Sequence, residues 1–292
     1  MNKAYRIAEY IQPWEIDDLE RQIHKLIDSS YLLTGKEDRI ILDVTLNVSD
    51  MLVNWNESKI PKQYFIDKFK YLETIASYHY AVNFDMDENI QGNTDKYRTI
   101  PDKEQDFIIW IDPDIFFSFL HLPYLVHASK LIADTYFVLS PQMIKYWDNS
   151  WDCITNKKYL HCPTDFRDSF DPSSLDTTFN NEPVTITENF PPKVTGWFSL
   201  FTTSLLRKIR LPAELGSYSP QDTYLALCCP IIHAKQYIMN NVVISDTGKK
   251  YARNYMKSLF CVNENKNCLR ITDEKFRELI KDFYACNLLH SH

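Results

Sequence analysis

The chain has 292 residues, of which 45% are hydrophobic and 14% aromatic, so it can bury a substantial core and is not a disordered protein. The formal net charge of −7 gives no general attraction to nucleic acid or anionic membranes, although a local basic groove is compatible with it. No apolar run approaches the roughly 18 residues that cross a bilayer. Residues 1–6 lack the apolar core of a signal peptide. We therefore expect a cytoplasmic protein with no transmembrane segment.

The seven cysteines include no Cys-x-x-Cys pair, and two of them, Cys228 and Cys229, are adjacent. Disulfide scaffolds and zinc sites have characteristic cysteine spacings, and this chain shows neither pattern. The cysteine pattern therefore predicts reduced, buried thiols.

The first third of the chain alternates between short apolar runs and segments with helical spacing of apolar residues. The predicted elements are a strand at 5–11, a helix at 15–30, a strand at 39–46, a helix at 62–77 and a strand at 78–84. Alternating strands and helices favour parallel pairing through right-handed crossovers. The predicted fold class is therefore α/β, with a Rossmann-like, mostly parallel sheet flanked by helices.

Two aspartates follow the next predicted strand, which covers residues 107–111. Asp112-Pro113-Asp114 closes this apolar run, and Pro113 cannot continue a central strand. Ligands of open α/β sheets bind at such strand ends, and two carboxylates suit Mg²⁺ or Mn²⁺ with a phosphorylated ligand. The alternative is an ordinary aspartate–proline turn at the end of a strand.

The second half of the chain changes composition twice. Residues 148–193 are rich in Asp, Ser, Thr, Asn and Pro, which predicts an irregular loop or lid on the acceptor side. Strand and helix character returns over residues 194–245, and Thr272-Asp273-Glu274 predicts the start of a last helix, which reaches Leu289. We expect one domain over residues 1–250 and a C-terminal helical extension over residues 251–292.

Five further motifs accompany the acidic pair in a fixed order. They are Ile11-Gln12-Pro13-Trp14-Glu15, Asp43 in the second strand, Gly92-Asn93-Thr94-Asp95-Lys96-Tyr97-Arg98, Thr195-Gly196-Trp197-Phe198-Ser199 and Ser219-Pro220-Gln221-Asp222. Taken together over roughly residues 5–250, they resemble a nucleotide-sugar-dependent glycosyltransferase of the GT-A fold, similar to family 2.

The resemblance implies a donor-binding role for several of these residues. Pro13 and Glu15 belong to the loop that touches the nucleotide, and Asp43, or less clearly Asp50, corresponds to the acidic residue near the base or ribose. Arg98 is the basic residue before the metal strand, and it contacts phosphate or fixes the acidic loop.

The metal and acceptor residues are implied in the same way. Asp112 and Asp114 match the family's metal motif, with Asp112 acting directly or through water and the donor ribose. Gly196 and Trp197 border the sugar and the acceptor, although Trp197 could equally pack in the core. Asp222 holds the position of the catalytic base in inverting members, and a helix-capping role is its alternative.

The chain departs from the family pattern at three places. Gln221 replaces the commoner glutamate, and the first loop lacks the usual aromatic–asparagine pair. Many relatives supply a later histidine to the metal or phosphate. Asp246 is the predicted substitute here, and His233 is the second candidate, although a lone histidine is more often a core or surface residue.

The predicted function is transfer of a sugar from a nucleotide-sugar donor, with UDP-sugar favoured, to an acceptor hydroxyl, with Mn²⁺ or Mg²⁺ as cofactor. A glycan is the preferred acceptor. A hydroxymethylated base of phage DNA is the minority alternative, because the richness in Lys, Asn, Ile and Tyr is compatible with a viral protein in its host's cytoplasm. The acidic charge argues against duplex DNA.

Two other classes of protein stay open. A nucleotidyltransferase also uses paired aspartates at a strand end, but it usually has a glycine-rich phosphate loop, and residues 5–20 contain no glycine. The other is a non-catalytic α/β binding protein whose acidic pair merely ends a strand. The sequence leaves the stereochemistry of transfer and the oligomeric state open.

Overall fold

The computed structural model describes residues 3–33, 38–53, 59–89, 93–98, 100, 106–113, 115–145, 185–188, 198–216, 220–246 and 272–288. Only the backbone is described at residues 51, 93, 142–145, 241, 243, 245 and 246. Within these ranges, no helix is both long enough and apolar enough to cross a membrane.

Strands and helices alternate along the first half of the chain. The strands are β1 (Ala4–Ile11), β2 (Arg39–Asn47), β3 (Ala81–Asp87), β4 (Phe107–Ile111), β5 (Ile115–Phe116), β6 (Phe137–Lys145), β7 (Ile186–Glu188), β8 (Phe198–Thr202) and β9 (Lys235–Asp246). The helices are α1 (Ile16–Ser30), α2 (Asp50–Val53), α3 (Lys62–Ser77), α4 (Asn93–Arg98), α5 (His121–Ser129), α6 (Thr203–Ile209), α7 (Gln221–Cys228) and α8 (Asp273–Leu288). Short 3₁₀ turns cover Pro13–Glu15, Ala213–Leu215 and Cys229–Ile232.

The described strands form one nine-stranded sheet in the order β3-β2-β1-β4-β8-β6-β9-β5, with β7 paired to β9. The first four strands of this order are parallel to one another. Strand β8 is antiparallel to both β4 and β6, and β9 is parallel to β6 but antiparallel to β5 and β7. The α/β fold class is therefore confirmed, with parallel pairing concentrated in the N-terminal half.

Apolar side chains cover both faces of this sheet, because successive residues of a strand point to opposite sides. Ile7 and Ile109 belong to the core on the face covered by α1, α3 and α5. Trp110 belongs to the core on the opposite face, against α6 and α7. Helix α8 packs onto this second core, with the Phe276 ring 6.2 Å from that of Tyr224. The result is a three-layer arrangement with the sheet in the middle.

Two of the predicted elements differ in the structure. Residues 78–80 are not part of the third strand: the backbone N–H groups of His79 and Tyr80 both donate to the Ala76 carbonyl, which extends the end of α3. The segment 148–193 is not wholly irregular either, because Ile186–Glu188 pairs with β9. The rest of that segment lies outside the described residues.

The two adjacent cysteines give a test of the packing of α7. Burial raises the pKa of Cys228 and of Cys229 to about 12, whereas Cys286 on α8 is exposed. Because the thiolate is the reactive form, both buried thiols should resist alkylation near neutral pH. Iodoacetamide treatment of the native protein followed by peptide mass mapping should label Cys286 and leave Cys228 and Cys229 unmodified until denaturant is added. Equal labelling of all three in the native protein would contradict this packing.

Candidate active site at the carboxyl ends of β1 and β4

The order of the parallel strands singles out the region beyond the carboxyl ends of β1 and β4, here called the crevice. Strand β2 lies on one side of β1, and β4 lies on the other. The chain therefore leaves β1 and β4 in opposite directions along the sheet, which makes their carboxyl ends a topological switch point. Open α/β sheets bind ligands at such a point, and the predicted site residues Pro13 and Asp112 follow these two strands.

The loop after β1 is held by its own side chains. Pro13–Glu15 forms a 3₁₀ turn, and the Glu15 Oε2 atom accepts the backbone N–H of Gln12 at 2.7 Å. Pro13 is buried at the first position of this turn, where its missing N–H is not needed. The turn brings Pro13 and Glu15 to the crevice, and their contact with a nucleotide stays a prediction.

Asp112 lies immediately after β4, half-buried, and its backbone is anchored from α1. The Gln22 side-chain amide donates to the carbonyl oxygens of Asp112 at 2.8 Å and Pro113 at 2.9 Å. The Tyr97 hydroxyl of α4 lies 3.3 Å from Asp112 Oδ1. As predicted, the strand ends before Pro113. Asp114 lies outside the described residues.

Asp222 is the second residue of α7 and is half-buried. Its Oδ1 atom accepts the backbone N–H of Thr223 at 2.7 Å, so it satisfies one donor of the helix start. The capping position itself is Pro220. The neighbouring Gln221 is buried and accepts a hydrogen bond from the Thr94 hydroxyl of α4 at 3.2 Å.

Tyr97 shows that the structure brings Asp112 and Asp222 together. Burial is the largest cause that raises the pKa of the Tyr97 hydroxyl well above its usual range, and the negative charges of Asp112, Glu9 and Asp222 add to it. Both predicted carboxylates are therefore within electrostatic range of Tyr97, whose hydroxyl contacts Asp112 at 3.3 Å. They are 110 positions apart in the sequence, so only the fold brings them to the same crevice.

Glu9 is a site residue that the sequence reasoning missed. It lies near the end of β1, fully buried, and its Oε1 atom has no hydrogen-bond partner among the described residues. Burial raises its pKa well above the usual range, and the charges of Glu15 and Asp112 add to this effect. We interpret Glu9 as a neutral carboxyl group beneath the crevice. In the sequence, Glu9 could have been noticed as the one acidic residue of β1, where it interrupts a run of apolar residues.

Asp246 and His233 are the two candidates for a metal ligand from the later part of the chain. Asp246 ends β9, and His233 lies two residues before its start. Asp246 pairs in the ladder with Ile115, three positions after Asp112. His233 precedes the other end of this strand, which spans the nine residues of β6, so the two lie roughly 26 Å or more apart at about 3.3 Å per residue. His233 is exposed with a positive φ of 56°. The structure thus excludes His233 from the site and brings the Asp246 backbone to it.

Asp43 lies four residues before the end of β2, away from the strand's terminus. Its carboxylate forms ion pairs with Arg6 and Lys96 and accepts a hydrogen bond from the Asn83 amide at 3.0 Å. All three charged groups are largely buried. Burial lowers the pKa of Lys96, while the Asp43 charge opposes this shift. The geometry thus gives Asp43 a structural role, as the anion that neutralises two buried cations.

Asp50, the alternative to Asp43, begins α2 just beyond β2 and is exposed, with an ion pair to Lys62 at 3.2 Å. Its contact with a nucleotide stays a prediction.

Arg98 fixes the segment that leads to Asp222, whereas its expected contact with phosphate or with the acidic loop stays a prediction. Its guanidinium pairs with Asp95 and donates to the carbonyl oxygens of Pro212 at 3.1 Å and Gly216 at 2.6 Å. Gly216 has a φ of 80°, in the left-handed region that favours glycine. Arg98 therefore holds the chain at Gly216, five residues before α7 begins.

The oxygen ligands that Asp112 offers are compatible with a hard divalent cation. Among the residues whose side chains are described, no three His, Cys, Asp or Glu groups converge on one point. Mg²⁺ does not require such a cage, since it is usually held by one or two carboxylates together with substrate phosphates and water. Gly196 and Trp197, like Asp114, lie outside the described residues, so their predicted roles stay predictions.

Comparisons with known proteins return similarity in structure alone: no family model and no curated protein matches the chain. The crystal structure of GalNAc-T7 with UDP, GalNAc and Mn²⁺ is similar at 9% identity and a TM-score of 0.48, over 96% of this chain and 55% of that one. The structure of S. aureus TarS 1–349 is similar at 13% identity and a TM-score of 0.42, over 96% of this chain and 70% of that one.

This chain spans about half the length of the GalNAc-T7 chain. With identities this low and TM-scores below 0.5, we argue the function from the residues of the site alone.

The structural role of Asp43 predicts a large effect on stability. Asp43→Asn removes a buried negative charge that Arg6 and Lys96 share, and breaking a buried pair in this way costs about 3–5 kcal/mol. Urea denaturation should show that loss as a lower midpoint. The control Asp50→Asn removes an exposed ion-pair partner of Lys62 and should cost no more than about 1 kcal/mol. An unchanged midpoint for Asp43→Asn combined with weaker nucleotide binding would instead support the predicted donor contact.

Proposed function

We propose that this protein is a metal-dependent glycosyltransferase that transfers a sugar from a UDP-sugar to a hydroxyl group of a glycan. The supporting observation is that helix α4 contacts both carboxylate-bearing elements: the Tyr97 hydroxyl lies 3.3 Å from Asp112 Oδ1, and the Thr94 hydroxyl donates to Gln221, the residue before Asp222, at 3.2 Å. One carboxylate at a strand end and a second at a helix start, facing the same crevice, match the two needs of glycosyl transfer. These are charge neutralisation at the leaving group and proton removal at the acceptor.

The donor side consists of the β1 loop and the turn after β4. Asp112, with Asp114 and Asp246 as further candidates, would hold Mn²⁺ or Mg²⁺, which would neutralise the developing charge of the departing diphosphate as a Lewis acid. Gln22 keeps the main chain of this turn in place through its two short hydrogen bonds. Pro13 and Glu15, on the adjacent loop, would contact the nucleotide.

The acceptor side is assigned to Asp222. A hydroxyl group is a weak nucleophile near neutral pH, and a carboxylate within hydrogen-bond reach can accept its proton as the new bond forms. The first turn of a helix favours a negative charge, and the Thr223 N–H holds one oxygen of Asp222. Simple base catalysis by Asp222 corresponds to transfer with inversion at the sugar.

The β1 loop argues against nucleotidyl transfer as the alternative. That chemistry is usually associated with a glycine-rich loop whose N–H groups surround the phosphates. Here the loop is a Pro-Trp-Glu turn closed by its own Glu15 side chain. The acidic net charge of −7 favours a glycan over duplex DNA as the acceptor.

A screen of nucleotide sugars for metal-dependent hydrolysis tests the reaction class and the donor together. We expect release of UDP from at least one UDP-sugar in the presence of Mn²⁺, and loss of that activity with EDTA. Release of pyrophosphate from a nucleoside triphosphate would instead indicate a nucleotidyltransferase. Stimulation by hydroxymethylated DNA and not by glycans would contradict the proposed acceptor.

Asp222→Asn tests the proposed base. The amide keeps the shape of the side chain but cannot accept the acceptor's proton, so glycosyl transfer should fall at least about a hundredfold while UDP-sugar binding is retained. Asp67→Asn, on the exposed face of α3, is the matched control and should transfer sugar at the wild-type rate. Unchanged transfer by Asp222→Asn would remove this residue as the base.

A further inference from the structure

Helix α4 contacts both of the elements that bear the site carboxylates. Although it has only six residues, three of its side chains reach different partners. Tyr97 lies against Asp112 after β4, Thr94 against Gln221 at the start of α7, and Arg98 against the main chain at 212–216. This single short helix therefore connects the proposed metal side of the crevice to the proposed acceptor side.

The Tyr97 ring is held rigidly, so its hydroxyl has little freedom. The ring stacks on Trp110 with centroids 4.2 Å apart and planes 12° from parallel. Trp110 in turn packs on Phe201 at 4.2 Å. The hydroxyl has one proton for two nearby acceptors, Asp112 Oδ1 at 3.3 Å and the Ile111 carbonyl at 3.4 Å. A hydrogen bond to a charged acceptor is the stronger of the two, so the proton favours the carboxylate.

Thr94 holds the other carboxylate indirectly. It is fully buried, and its hydroxyl donates to Gln221 Oε1 at 3.2 Å. Gln221 directly precedes Asp222, so this bond restrains the first turn of α7. Gln221 occupies the position where the family pattern commonly has glutamate, and a neutral amide accepts this hydrogen bond without adding a third charge to the crevice.

We propose that Tyr97 and Thr94 are positioning residues that set the two sides of the site independently: Tyr97 orients the Asp112 carboxylate for the metal–diphosphate group, and Thr94, through Gln221, orients Asp222 for the acceptor. This inference rests on the proposed function, since it assigns Asp112 to the donor and Asp222 to the acceptor. It goes further because neither Tyr97 nor Thr94 touches a reacting atom.

Two substitutions that each remove one hydroxyl separate these roles. Tyr97→Phe keeps the stacked ring and should weaken binding of UDP with Mn²⁺ about tenfold, the equivalent of one hydrogen bond to a charged group. Its turnover at saturating Mn²⁺ and donor should stay near the wild-type value. Thr94→Val should show the reverse: UDP–Mn²⁺ binding should be unchanged, and turnover should fall about tenfold. Thr94→Ser, which keeps the hydroxyl, should restore turnover.

The control is Tyr5→Phe near the amino-terminal end of β1, whereas the crevice lies at the carboxyl end of this strand. Tyr5 is also fully buried in the sheet, and its hydroxyl lies 3.0 Å from Ser129 Oγ and 3.4 Å from the Val126 carbonyl. Its loss should lower the melting temperature about as much as Tyr97→Phe but alter neither binding nor turnover. Calorimetry of UDP with Mn²⁺ measures binding without turnover, and hydrolysis measures turnover.

The outcomes distinguish this inference from the proposed function. If the wild type does not bind UDP in an Mn²⁺-dependent way, both are wrong. If the wild type binds but Tyr97→Phe binds equally well, only the positioning role is wrong. Equal losses of binding and turnover in both α4 variants, or the same losses in Tyr5→Phe, would show a merely structural role and would also overturn the inference.

Discussion

The pairing of β4 with β1, on the side opposite to β2, is the constraint on which the site depends. Because the chain leaves these two strands in opposite directions along the sheet, their carboxyl ends form the kind of switch point at which open α/β sheets bind ligands. The end of β4 then determines where Asp112 lies, and Gln22 of α1 holds the turn that follows. The remaining site residues are brought to this crevice by α4, α7 and the end of β9.

Buried charge explains why α4 can organise the crevice although it has only six residues. Lys96 extends from α4 into the sheet and contacts Asp43 and the Thr45 hydroxyl, the latter at 2.9 Å. This ion pair is shared with Arg6 and is largely removed from water, so breaking it would be costly. The same helix then presents Tyr97 and Thr94 to the two sides of the site. We infer that the charge network fixes α4, and α4 fixes the site.

The sequence predicted the elements and residues that depend only on neighbouring positions in the chain. Apolar runs located β1, β2 and β4, and Pro113 marked the end of β4. The Asp-Pro-Asp turn suggested Asp112 as a site residue, and the resemblance to the GT-A pattern suggested Asp222. Apolar periodicity reports burial but not the partner of a buried group, so the ion pairs of Asp43 with Arg6 and Lys96 could not be predicted. The contact of Asp43 with the donor stays a prediction. No sequence pattern predicted a positioning role for Tyr97, because its hydroxyl contacts Asp112 only in the folded chain. The antiparallel insertion of β8 beside β4 likewise depends on contacts across about 90 residues.

Calorimetric titration of UDP into the wild type and into Asp112→Asn, each with Mn²⁺ and with EDTA, tests the central claim most directly. The claim is that the crevice between β1 and β4 binds a nucleoside diphosphate through a cation held by Asp112. We expect the wild type to bind UDP with Mn²⁺ and to lose binding in EDTA, and Asp112→Asn to bind weakly under both conditions. Equal binding of UDP by the two proteins, or binding by the wild type that does not depend on the metal, would contradict the claim.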